Sequence, residues 1–177
     1  MTKKEFLNSI VNGSNDVLQQ LLDLLKVMKI NYCVIGGLAV NAYVEPVVSL
    51  DLDLVIVMEA LDDFMKAAKK IFKITKFSHS INFIAPKSDL RIQLQTDIRY
   101  QSFLKRSSIK EVMGYQMKVA FLEDVLQGKL WAYSDGQRRM SKRQKDLADI
   151  FRLIEAYPRL KGKIPKTLSL GILVSDS

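Results

Sequence analysis

The chain has one cysteine, one histidine and no long apolar run, and each scarcity removes a class of protein. Cys33 alone cannot close an internal disulfide or supply a multi-cysteine metal site, and in an apolar stretch it reads as a core residue. With His79 as the sole imidazole, a histidine-based zinc site has no basis. No apolar run approaches the roughly 18–20 residues needed to span a bilayer, so no membrane partner is expected. The first residues, Met-Thr-Lys-Lys-Glu-Phe, contain an early acid and no apolar core, so a secretory signal is not expected and a reduced, cytoplasmic setting is. Internal repeats and low-complexity blocks are also missing.

What is present suits one folded domain with a small appendage. In 177 residues, a hydrophobic share of 48% and a charged share of 26% suffice for a real core under an ordinary polar surface. The formal net charge of +8 favours nucleotides or polyanions as partners. The excess lies mostly in the second half, from Arg99, Lys105, Arg106, Lys110, Lys118 and Lys129 to a dense patch of Arg138, Arg139, Lys142, Arg143 and Lys145. Scattered lysines read as solvated surface; the dense patch reads either as a basic helix start or as a binding rim.

Apolar spacing sets out the elements. Thr2-Lys-Lys-Glu5 is a capping-box pattern that opens a short helix, and Asn12-Gly-Ser-Asn15 breaks it. Leu18, Leu21, Leu22, Leu25 and Met28 give an amphipathic helix ending near Lys29. A strand at Tyr32–Ile35, a Gly36-Gly37 turn, a short helix over 38–43 and a strand at Leu50–Val57 follow. Next come a helix from Leu61 to Phe72 and three strands, around Ile74–Phe77, Ile81–Ile84 and Leu90–Thr96. The last alternates Leu90, Ile92 and Leu94 against a wet face of Arg91, Gln93 and Gln95. A brief helix over Tyr100–Arg106, a hairpin of 109–113 with 116–120, and helices from Leu122 and Ser141 complete the pattern. Ser141-Lys-Arg-Gln144 reads as a second capping box. The expected fold is α+β, a mixed sheet flanked by helices with a C-terminal helical pair. Its divisions are 1–120 for the α/β core, 121–160 for the helical segment and 161–177 for a tail of uncertain structure.

Chemistry concentrates between Tyr32 and Val57. In a strand Asp51 and Asp53 share a face, and beyond them that face turns apolar with Val55 and Val57. Two adjacent carboxylates repel unless a cation lies between them, which points to Mg²⁺. Glycines at 36 and 37 let backbone N–H groups approach a phosphate. By itself an Asp-x-Asp is most often a pair of strand-edge acids, and Gly-Gly a tight turn. Strand, Gly-Gly, helix and Asp-x-Asp strand in that order form a phosphate cradle beside a carboxylate pair, the needs of metal-assisted nucleotidyl transfer.

Val34-Ile-Gly-Gly-Leu-Ala-Val-Asn41 followed by Ser49-Leu-Asp-Leu-Asp-Leu54 resembles the active-site signature of the polymerase-β-like nucleotidyltransferase superfamily. Leu122-Glu-Asp-Val-Leu-Gln-Gly-Lys-Leu-Trp-Ala-Tyr133 with Ser141-Lys-Arg-Gln-Lys-Asp-Leu-Ala-Asp149 is similar to its AbiEii branch, whose members act as toxins of toxin–antitoxin or abortive-infection systems. The resemblance spans about residues 30 to 157. It implies a nucleotide site at Gly36, Gly37 and Ser49, and Asp51 and Asp53 as catalytic magnesium ligands. Lys129 and Asp146 are implied at the triphosphate and the active-site rim, with Arg143 and Lys145 on that rim. A third carboxylate on a neighbouring strand is implied as the group that aligns the acceptor hydroxyl. Gln93 stands where many relatives carry that acid, which leaves Asp97 as the candidate for the third catalytic position. A further departure is Pro46-Val47-Val48, which lacks the basic residue relatives often have before the Asp pair, so phosphate neutralisation falls to Lys129 and the 138–145 patch. The implied reaction moves a nucleotidyl group from an NTP to a hydroxyl of RNA (tRNA included) or protein, with an antitoxin as partner. A non-catalytic nucleotide- or RNA-binding member of the fold is the alternative, and binding of nucleic acid through the basic helix start alone is a third.

Overall fold

Strand β2 (Asp51–Ile56) is the interior strand on which the first part of the chain is built. Its second half, Leu54-Val55-Ile56, is buried on both faces, as a strand with neighbours on either side and cover above and below must be. The computed structural model describes residues 1–12 and 16–168. The helix breaker read at Asn12–Asn15 lies outside these residues from position 13 onward, as does the 161–177 tail beyond Leu168. The chain divides into two compact units, Met1–Phe121 and Leu122–Ser177.

In the first unit β2 joins β1 (Tyr32–Ile35), β3 (Lys73–Lys76), β4 (Ser80–Ile84), β5 (Arg91–Gln95), β6 (Ser108–Val112) and β7 (Tyr115–Val119). The sheet order is β3-β4-β5-β2-β1-β7-β6. It is mixed: β2–β5 and β1–β7 are parallel, and the remaining pairs are antiparallel. Helices α1 (Lys3–Ile10), α2 (Val17–Val27), α3 (Gly36–Val40) and α4 (Leu61–Ala68) accompany it. Leu52, Leu54, Ile92, Leu94, Ile81 and Phe83 share one sheet face and are all buried. Phe64 of α4 and Phe72 beyond it meet the Phe83 ring at centroid distances of 5.7 and 6.1 Å, so the apolar stripe of α4 is covered here. Cys33 is fully buried, in keeping with a core role.

The α+β architecture read from the spacing is present, including the hairpin, which turns through Met113 and Gly114 at positive φ. The Thr2 box forms: the Glu5 N–H donates to Thr2 Oγ1 at 3.1 Å, and the Thr2 N–H donates to Glu5 Oε2 at 2.6 Å. The Ser141 box does not. In the second unit α5 (Leu122–Ser134) packs on α6 (Met140–Ala156), and α6 starts after Arg139, which makes no side-chain cap. Asp135 turns the chain by accepting from the Gln137 N–H, and Arg138 pairs with Asp146. The chain therefore enters the helix early, and Ser141 falls inside the first turn, where it cannot cap. The brief helix at Tyr100–Arg106 is a 3₁₀ segment from Ile98 to Arg106. Among the described residues no helix is long and apolar enough to cross a membrane.

Candidate functional site

Gly36 and Asp53 are brought together by strand pairing. In the antiparallel β1–β2 ladder Ile35 lies opposite Asp53, and the chain turns from β1 into α3 at the next residue. Gly36 has φ +69°, a left-handed conformation that L side chains rarely adopt. A Cβ there would stand 2.2 Å from Asp53 Oδ2 and 3.0 Å from its Cγ. Glycine is thus required twice, for the turn and for the space the Asp53 carboxylate occupies. Asp51 follows on the same face two residues earlier, with its side chain 28% exposed.

The approach to this pair is fixed by a residue to which the sequence assigned no role. Asn41, buried at the end of α3, donates from Nδ2 to the Val47 carbonyl at 2.7 Å and accepts the Val47 N–H on Oδ1 at 3.0 Å. A buried amide satisfied twice by one connector residue holds the connector down. Ser49 Oγ then accepts the Asp51 N–H at 3.2 Å, which starts β2. Gly37 lies in the first turn of α3.

The neighbouring parallel strand departs from the expected constellation. Arg91 is opposite Asp51 and Gln93 opposite Asp53. Arg91 Nε lies 2.7 Å from Asp51 Oδ1, so a cation missing from the connector is supplied from β5. The wet-face alternation of Arg91, Gln93 and Gln95 contained that signal. Asp97 is not part of this cluster. It is four residues past Gln93, about 13 Å along an extended chain. There it caps the 3₁₀ segment, accepting the Arg99 N–H at 3.0 Å and pairing with Arg99 Nη2 at 2.6 Å. Hydrogen bonding from Arg99 holds its carboxyl below the usual aspartate range. Among the described residues no group of three or more His, Cys, Asp or Glu side chains could hold a metal ion. Asp51 and Asp53 do fit Mg²⁺, a hard cation commonly bound by one or two carboxylates with water and substrate phosphates completing the shell.

In the second unit Lys129 and Asp146 meet, with partners the sequence did not reveal. Lys129 is 7% exposed and Asp146 1%. Lys129 Nζ lies 3.0 Å from Asp146 Oδ1 and 2.7 Å from Asp149 Oδ2, while Arg138 Nε lies 2.6 Å from Asp146 Oδ2. Asp149 also receives Arg152 at 2.7 Å. Asp146 and Asp149 are three apart, the spacing that aligns helix neighbours, which was the available signal. Arg143 Nε donates to the Tyr133 carbonyl at 2.7 Å, and its guanidinium sits 5.3 Å from the Tyr133 ring centroid. Lys145 is exposed. Burial opposes the Lys129 charge, but Asp149 and Asp146 outweigh it and raise its pKa above the ordinary lysine value.

No family profile and no curated protein matches the sequence. Solved structures do match in fold. The lincosamide antibiotic adenylyltransferase LnuA with lincomycin bound has a TM-score of 0.56 at 13% identity, over 80% of this chain and 99% of that one. ANT(2")-Ia in complex with adenylyl-2"-tobramycin has a TM-score of 0.63 at 12% identity, over 83% and 91% of the two chains. An antigenic nucleotidyltransferase-like protein from Paracoccidioides brasiliensis has a TM-score of 0.51 at 21% identity, over 87% and 78%. The fold is nucleotidyltransferase-like. At these identities the likeness is one of architecture, and within this nucleotidyltransferase-like fold the Gly36–Asp53 contact is the local feature that joins glycine turn to carboxylate pair.

Two stability measurements follow from these contacts. Gly36→Ala is expected to cost at least about 1–2 kcal/mol through the left-handed backbone alone, plus the clash with Asp53. In urea unfolding, the Gly36→Ala/Asp53→Ala double variant should lose less than the sum of the singles, because the clash goes with the carboxylate; strict additivity would refute the contact. Lys129→Met should cost about 3–5 kcal/mol near neutral pH, as expected when one partner of a buried pair is removed. Because the folded Lys129 pKa is raised, its contribution is complete below the unfolded value of about 10.4 and fades as pH rises through the folded value. The gap between wild type and Lys129→Met should therefore narrow only in strongly alkaline solution; a constant gap there would contradict the pairing.

Proposed function

We propose that the protein is a nucleotidyltransferase that moves a nucleotidyl group from an NTP to a hydroxyl of RNA or protein, with Mg²⁺ held by Asp51 and Asp53. The observation that carries this reading is the Asp53 carboxylate set against the Gly36 backbone, with Asp51 beside it on β2. Mg²⁺ bound there supplies charge neutralisation at the phosphates and acidifies the attacking hydroxyl. In the reaction the hydroxyl oxygen attacks the α-phosphorus, the bond to the bridging oxygen breaks, and pyrophosphate leaves with the electron pair. Gly36 and Gly37 leave backbone N–H groups accessible to the phosphates, and Asn41 and Ser49 keep the Asp51–Asp53 strand in register. Gln93, opposite Asp53, can orient a hydroxyl by hydrogen bonding but cannot take its proton. The proton therefore passes to a carboxylate of the Asp51–Asp53 pair or to water.

The AbiEii-type toxin assignment, with an antitoxin partner and a cytoplasmic setting, is supported by the sequence resemblance of Leu122–Asp149 and by the basic balance of the second half. A second reading, a nucleotide- or RNA-binding member of the fold without turnover, is favoured by the Gln93 register and by the position of Asp97.

The Asp51→Ala/Asp53→Ala variant is expected to stay folded and to lose binding of Mg²⁺–NTP in calorimetry. Unchanged affinity with magnesium present would sink the proposal. Incubation with labelled NTPs and cellular RNA or protein then separates the two readings, since label transfer dependent on Asp51 excludes the inactive one.

A further inference from the structure

Arg91 stands against a residue that the reading above assigns to metal. Its place is set by the backbone: β5 runs parallel to β2, Arg91 is in register with Asp51, and the Arg91 N–H donates to the Leu50 carbonyl at 2.8 Å. Its Nε lies 2.7 Å from Asp51 Oδ1. The two partners differ in exposure, with 62% of the Arg91 side chain and 28% of the Asp51 side chain open to solvent. The guanidinium half of the pair is already mostly in water, so it can leave Asp51 without first being uncovered. The connector Val44-Glu-Pro-Val-Val48 contains no cation, whereas β5 sets the Arg91 guanidinium against Asp51.

These facts give Arg91 two incompatible ligands. A divalent ion approaching Asp51 by itself meets a guanidinium already on the carboxylate, and like charges that close repel. A triphosphate changes the balance, because a guanidinium binds phosphate oxygens in a planar two-point geometry and prefers them to a single exposed carboxylate oxygen. We infer that Arg91 is an exchangeable counter-ion of the site: it neutralises Asp51 until a metal–triphosphate arrives, then transfers to the phosphates, so that metal and nucleotide bind cooperatively. The inference rests on the proposal that Asp51 and Asp53 bind Mg²⁺–NTP. It adds that this chain discriminates against metal alone, and that the cation serving the phosphates comes from β5.

The test compares wild type with Arg91→Gln and Arg91→Lys in two binding assays. Mn²⁺ alone is followed by the electron-spin-resonance signal of the free ion. Mg²⁺ complexes of the four α,β-methylene NTPs, which cannot turn over, are followed by calorimetry. Arg91→Gln should bind Mn²⁺ alone about three- to tenfold more tightly and the best Mg²⁺–nucleotide about tenfold or more weakly, within the range usual for coupled sites. Arg91→Lys, which keeps a charge but not the two-point geometry, should leave Mn²⁺ affinity near wild type and still weaken nucleotide. It also serves if the glutamine variant fails to fold. A merely structural Arg91 would weaken both ligands together, and an irrelevant one would change neither; either result, with nucleotide still bound by wild type, overturns the inference and leaves the proposed function standing. If wild type binds no Mg²⁺–nucleotide at all, the proposed function fails and the inference goes with it.

Discussion

The pairing of β1 with β2 is the constraint on which the site depends. Because Ile35 is opposite Asp53, the residue at which β1 must turn into α3 is the residue beside the Asp53 carboxylate. A side chain at position 36 would collide with that carboxylate, and a left-handed φ would strain it further. A slip of one residue in this ladder would carry Asp51 and Asp53 to the opposite face, against Ile92, Leu94 and Phe83, and turn Leu52 and Leu54 out of the core. The apolar alternation of β2 thus protects the position of its two acids. Burying Leu52 and Leu54 contributes about 1.5–3 kcal/mol each, and the carboxylates are held at the margin of that core.

The two units use charge in opposite ways. On α5 and α6, Lys129, Asp146 and Asp149 are almost withdrawn from water, so each charge needs its partner and the cluster behaves as a structural knot. Beside β2 the Arg91 half of the Arg91–Asp51 pair is mostly in water while Asp51 is partly buried. Proximity alone would rank the Lys129–Asp149 and Arg91–Asp51 pairs equally, since both N–O distances are 2.7 Å. Burial separates the Lys129 charge, which needs its partners, from the Arg91 charge, which already faces water.

Much of the architecture was legible because its elements follow simple periods. Alternation along β2 and β5, helical spacing in α2 and α4, and the Met113–Gly114 turn each report backbone geometry directly. The Asp51–Asp53 face and its glycine neighbours were legible for the same reason: one strand and one turn determine them. What the spacing could not supply were contacts between strands. The register that sets Arg91 against Asp51, and Gln93 against Asp53, is a property of two strands more than thirty residues apart in the chain. The burial of Lys129 likewise depends on Asp146 and Asp149 arriving from another helix. The Ser141 pattern misled because capping chemistry is local, whereas the start of α6 is drawn back by the Asp135 turn and the Arg138–Asp146 pair.

The composition of β5 bears on what the site can do. A third acid on that strand would add negative charge beside two carboxylates and strengthen the draw on metal, while also offering a proton acceptor. With Arg91 and Gln93 in those positions, β5 sets a guanidinium against Asp51 and a neutral amide against Asp53. The row continues outward from Gln93 to Asn82 on β4, whose Oδ1 is buried without a hydrogen-bond partner among the described residues. A neutral amide row recognises hydroxyls and amides by hydrogen bonding and contributes nothing to ionising them. On the proposed reading, the acidity needed for attack would come from the cation held by Asp51 and Asp53, because neither Gln93 nor Asn82 can supply it.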